Sequence, residues 1–320
     1  MRAGWERLSD VSALAFTVIA LLLAGPVPSL LSRAAWPLRA PRAAVTLWQS
    51  IALAAVLSAF SAGLGLTLLL FFSESPPEST TVLSDSITRL GWPLTVMAML
   101  VLGGTIWIGT RLVSSVITVA IETRRRRARH RTLVDILAER RSDLGHLHVL
   151  QVDEPMAYCL PGIRPRVVIS DGAIRALDQA ELRAIVQHER AHLRARHDLV
   201  LEAFIAVHTA FPWFVRSGNA RDAVALLIEL LADDAAVATS GRKPLARALV
   251  ACASARTPVG ALAASGRTAV IRVQRLAGKP NSTALSVMAY SFAAALLVLP
   301  TVALAVPWLT ELHHLFLHRL

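Results

Sequence analysis

Four long apolar stretches, 11–31, 45–72, 92–110 and 283–309, constrain this chain more than any other feature. A helix needs about 20 consecutive apolar residues to cross the hydrocarbon core of a bilayer, where no water can satisfy an exposed backbone. With 54% hydrophobic residues and only 17% charged ones, the chain is too apolar for an ordinary soluble protein. The expected architecture is three transmembrane helices within residues 1–121, a polar block over 122–282, a fourth transmembrane helix at 283–309, and a short external tail at 310–320. The polar block is long enough to bury a core of its own.

Charge sets the orientation. Arg33, Arg39 and Arg42 lie in the first loop and Arg124 to Arg127 follow the third stretch, whereas Glu74, Glu78 and Asp85 lie between the second and third. Basic loops stay inside, so the polar block is expected in the cytoplasm and the amino terminus outside. Arg2 and Arg7 ahead of an apolar run ending at Ala24-Gly25-Pro26 also fit a cleaved signal peptide, but the charge bias favours a retained anchor. The formal charge of +11 owes much to the arginines at 124–131. Directly after a span, they read as a topology signal that also attracts anionic lipid, and no direct nucleic-acid binding is expected. Arg111, closing the third stretch, reads as an interface residue. Cys159 and Cys252 form no readable disulfide framework, as befits a cytoplasmic domain, and Cys159 reads as a small buried hydrophobe.

Within the polar block, 147–152, 156–160 and 166–170 are short runs rich in β-branched and apolar residues, separated by Asp-Glu-Pro and Pro-Gly-Ile-Arg-Pro. They predict a small antiparallel sheet, whose edge can hold an extended peptide. Asp178 and Glu181 then form a capping box that starts a helix, and Leu182, Ile185, Val186 and Leu193 recur at helical spacing.

That helix carries His188-Glu189-Arg190-Ala191-His192. Residues four apart share a helical face, so both imidazoles can reach one Zn²⁺ at about 2.0 to 2.1 Å. Glu189 is placed to take a proton from water, whose pKa such an ion lowers to roughly 7. HExxH therefore predicts metal-assisted hydrolysis.

Two imidazoles do not complete the site. Glu229 sits amid the apolar run Ala223 to Ala232, where an unpaired charge is costly, and Asp233 follows one turn later. One carboxylate can bind metal while the other orients a histidine through its second nitrogen. Asp198, ten residues after His188, is the rival ligand. Reaching the metal from there requires a bend that glycine would ease, but Ala195 stands at it and Ala-Arg-His continues a helix, so Asp198 reads as a supporting or structural carboxylate. His197 and His208 read as surface or packing residues.

These motifs resemble the integral-membrane antirepressor metallopeptidases of the BlaR/MecR type, distant kin of the HtpX and CAAX-protease gluzincins. The resemblance rests on three spans, His188 to His192, Asp198, Glu229-Leu-Leu-Ala-Asp233, Arg272-Val-Gln-Arg-Leu276 and a fourth span. It implies an α-helical membrane protein with an inserted α+β, gluzincin-like zinc metallopeptidase domain. It further implies zinc on His188, His192 and Glu229, Glu189 as base, Asp233 in support, and structural roles for Arg272 and Arg275. Members that sense β-lactams carry an external penicillin-binding domain, for which the residues after Leu309 leave no room. The function expected by resemblance is cleavage of a cytoplasmic regulatory protein, a winged-helix repressor by family analogy. Alternatives are an HtpX-like quality-control protease, and a receptor or scaffold with a structural zinc site, which would have no use for Glu189.

Overall fold

The three longest helices each carry a long apolar run. The computed structural model describes residues 14–72, 82–141, 147–212, 217–253, 266–278 and 281–317. Among these, four helices are long and apolar enough to cross a membrane: α1 (Leu14–Arg33), α2 (Pro41–Phe72), α3 (Val82–Leu137) and α10 (Thr283–Leu317). Leu21, Leu53, Leu100, Trp107, Phe292 and Leu299 point outward from them. Such side chains are costly in water and at ease in lipid. The chain is thus a helical membrane protein with an α+β insertion. Helices α2 and α3 approach closely at Gly63, where a Cβ would fall 2.0 Å from Thr105 Oγ1.

Helix α3 does not stop at the membrane. After a break at Gly91 (φ 75°), it runs to Leu137, carrying the arginine run outward as a helical stalk. Arg124, Arg125, Arg126 and Arg129 are exposed. Arg127 turns inward to Asp198 (3.0 Å) and Glu202 (2.8 Å). Arg111, expected at the interface, donates to Ala210 O at 3.3 Å.

The expected sheet is present with a fourth strand and one parallel pairing. Strands β1 (Ala138–Arg141), β2 (Leu147–Leu150), β3 (Ala157–Leu160) and β4 (Arg166–Ser170) are ordered β1-β2-β4-β3. Pairs β1/β2 and β3/β4 are antiparallel, and β2/β4 is parallel with His148 opposite Val168. The wholly antiparallel expectation is corrected because β4, returning from its hairpin, inserts between β3 and β2. Burial on both faces accounts for the consecutive apolar residues of β4. Leu147, Val149, Val167 and Ile169 pack on one side, while Val168, Tyr158 and Leu160 pack on the other with Val134 of the α3 stalk. Ser170 ends β4 by accepting from Ala173 N, capping α4 (Asp171–Ala176).

Beyond the sheet come α5 (Gln179–Ala195), α6 (His197–Ala210), α7 (Ser217–Ser240), α8 (Arg242–Cys252) and α9 (Gly266–Ala277). The predicted capping box opens α5: Asp178 accepts from Ala180 N and Glu181 N, and Glu181 accepts from Asp178 N. Such a cap contributes about 1 kcal/mol. Helix α7 fills a core between the membrane and the insertion. Its Val224, Leu227, Ile228 and Leu230 pack with Trp48 of α2 and Phe204 of α6.

Candidate metal centre

Helix α5 delivers His188, Glu189 and His192, all buried, and α7 delivers Glu229 and Asp233 against them. Each element is driven there by its apolar stripe: Ala184 and Ile185 of α5 join the sheet core, and Ile228 and Leu230 flank Glu229 within the α7 core.

The inner atoms form a cluster. His188 Nε2 lies 3.2 Å from His192 Nε2 and 3.4 Å from Glu229 Oε2, and His192 Nε2 lies 3.5 Å from Glu229 Oε1. Three ligands bound tetrahedrally at about 2.0 to 2.1 Å sit roughly 3.3 to 3.4 Å apart, so this trio fits a small divalent ion. Glu229 Oε2 is buried without an aligned hydrogen bond, another sign of a donor set built for a cation. His188, His192 and Glu229 together make the candidate metal group.

The outer nitrogens are held separately. His188 Nδ1 meets Asp233 Oδ1 at 3.0 Å, and His192 Nδ1 meets His197 Nδ1 at 3.1 Å. Each ring therefore has its Nδ1 engaged and its Nε2 turned inward, the arrangement that fixes ligand tautomers.

One expectation is corrected here. His197, read as a surface or packing residue and not a ligand, is buried against His192 and stands outside the ligand trio. It gets there because α5 does not continue through Ala-Arg-His: Arg196 adopts a left-handed conformation (φ 51°), ending α5 and starting α6. Even with that break, Asp198 does not turn onto the ligand trio. Arg127 of the stalk captures its carboxylate, and its place in the first turn of α6 favours the negative charge.

Arg272 is the residue whose place sequence reasoning missed. It is fully buried on α9, donating from Nε to Asp233 Oδ2 (2.8 Å) and from NH2 to Asp233 Oδ1 (2.5 Å). Its NH1 lies 2.9 Å from Glu229 Oε2, and NH2 lies 3.3 Å from His188 Nε2. The available signal was Arg272's position in the buried stripe, three residues after Ala269 and four before Leu276. Its partner along the helix, Arg275, grips Asp234 through both terminal nitrogens (2.8 and 2.9 Å) and donates from Nε to Leu38 O in the first loop (2.7 Å).

The electrostatics follow from this packing. Burial and the Arg272 charge press the His188 pKa down, but contacts with Asp233 and Glu229 prevail and raise it to about 9. Burial lowers His192 to about 3 and His197 to about 4, keeping both neutral. Against burial, His192, His188 and Arg272 hold Glu229 below the usual carboxylate range, so it stays ionised. Glu189 is raised to about 7, chiefly by burial, and its Oε2 has no hydrogen-bond partner among the described residues. A carboxylate near pKa 7 is poised to exchange protons at neutral pH. Cys159 of β3 is buried as expected, and its thiol bonds to Glu189.

A family model described as BlaR1 peptidase M56 matches residues 66–272, from within α2 to Arg272. No curated protein and no solved structure matches the chain.

Proposed function

Because the chain belongs to the BlaR1 peptidase M56 family, we propose that this membrane peptidase is a zinc endopeptidase that cleaves a cytoplasmic regulatory protein at the bilayer surface. The observation that carries the reading is Glu189: a buried carboxylate with an unspent oxygen, on the same helix as both imidazoles and raised to about 7. A structural metal site needs no base beside its ligands.

In this reading His188, His192 and Glu229 hold the metal, and Asp233 and His197 orient the two rings. When bound, the ion supplies Lewis acidity that polarises a peptide carbonyl and acidifies water. Glu189 accepts the proton as water attacks the scissile carbon and returns it to the departing amine. Asp198 serves architecture, tying α6 to the stalk. The basic loops favour a cytoplasmic insertion, where a transcriptional repressor is the substrate suggested by family analogy.

The test is Glu189→Gln in the full chain. It should retain stoichiometric zinc and the wild-type melting temperature while cleavage falls by at least about 10³-fold, because the base is lost and the imidazoles remain. Substantial cleavage by this variant, or by fully metal-free wild type, overturns the reading.

A further inference from the structure

Arg272 is held by one carboxylate and merely leans on the other. Toward Asp233 it makes two hydrogen bonds, from Nε and NH2. Toward Glu229 it makes an ion pair at 2.9 Å without an aligned hydrogen bond; NH1 is buried with no other contact of its own, and Oε2 is buried with only His188 Nε2 also near it, at 3.4 Å. It leans on Glu229 Oε2 and on the ring of His188, with NH2 3.3 Å from both ring nitrogens, and both residues belong to the metal trio. Two ionised carboxylates one helical turn apart in a dry interior need a counter-charge, or one must take up a proton. Here the Arg272 guanidinium spans both, beside His188, whose ring also lies between the same two carboxylates.

We propose that Arg272 is a positioning residue that acts as a built-in counter-cation, neutralising Glu229 while the metal is away and yielding that carboxylate when a divalent ion arrives. The inference rests on the reading of His188, His192 and Glu229 as metal ligands. The bond to Asp233 is the permanent anchor, and the contact with Glu229 is the exchangeable one. Geometry favours this division, because a two-bond fork aligned on one carboxylate is stronger than a single unaligned approach. In the metal-free protein Arg272 keeps α7 from shedding its buried charge. In the loaded protein it stands as a like charge close to the ion. It therefore trades metal affinity for a trio that stays assembled without metal, the opposite sign from an ordinary ligand-supporting residue.

That sign is the test. Full-length protein in detergent is stripped with a chelator and titrated with Zn²⁺, with melting temperature followed in both states. Arg272→Met should lower the melting temperature of the metal-free protein and tighten zinc binding on the order of ten- to a hundredfold, because the ion now supplies a charge the site lacks. Arg272→Lys, which keeps a cation beside Asp233, should restore the metal-free melting temperature. If R272M folds only with zinc present, that rescue supports the proposal, and R272K then carries the affinity comparison, with binding at least as tight as wild type expected. Zinc binding by R272M, or by R272K in that case, weaker than wild type overturns it and makes Arg272 a simple support for the ligands. Wild-type protein that takes up no stoichiometric zinc overturns the metal reading itself, and this proposal with it.

Discussion

His197 presents Nδ1 to Nδ1 of His192 at 3.1 Å, across the junction of two helices rather than along one. Two neutral rings meeting through like nitrogens allow one arrangement: one Nδ1 carries the hydrogen and the other accepts it. For His192 to offer a lone pair from Nε2, its Nδ1 must donate and His197 must accept. Replacing His197 with Ala removes that acceptor, and zinc affinity should fall about 10 to 100-fold, as for other partners of ligand histidines. Zinc titration of H197A at wild-type affinity would dismiss His197 as a mere neighbour.

Glu229 and Asp198 should separate cleanly. Glu229→Ala leaves two imidazoles, and stoichiometric zinc should be lost. Asp198→Ala should keep the metal but leave the part-buried Arg127 with only Glu202, costing about 1 to 3 kcal/mol of stability. Full zinc content in E229A with loss in D198A would reverse these assignments.

The His188 proton makes metal binding pH-dependent. The pKa of about 9 lies above the unfolded value, so the proton's stabilising effect is complete below about 6.5 and is lost as pH rises through 9. Zinc must displace this proton, so affinity should climb about tenfold per pH unit from roughly 7 to 9 and then level off. Calorimetry in buffers of differing ionisation enthalpy should show one proton released at pH 7. No proton release there would contradict the protonated state of His188.

Topology is open to labelling. Arg125 lies exposed on the stalk, and the excess of arginine there predicts a cytoplasmic position. An Arg125→Cys reporter should resist a membrane-impermeant thiol reagent in intact cells and react after lysis. Labelling from outside would remove cytoplasmic proteins from consideration as substrates.

The residues differ in how plainly they announced themselves. The HExxH helix and its capping box were legible because period and motif are local, and Glu229 with Asp233 stood out as charges in an apolar run. The break at Arg196 was hidden, since an arginine carries no mark of a left-handed conformation and helix propensity argued for continuation. His197 could be seen as part of the site only once that break was known. The parallel β2/β4 pair depends on where a hairpin docks, which short apolar runs do not encode. Arg272 was legible only as a structural residue, because its contacts with Asp233 and Glu229 exist only once α9 is folded onto α7.

Helix α7 presents Glu229 to α5 and packs Leu227 and Ile228 with Trp48 of a membrane span. The catalytic half and the bilayer half thus share one wall. Anyone seeking a water-soluble fragment for assay or crystallisation would cut that wall away, exposing an apolar helix and unseating a ligand in the same stroke. Excising the insertion should therefore yield an aggregating, metal-poor product, and biochemistry on this enzyme belongs in detergent or nanodiscs with its spans attached.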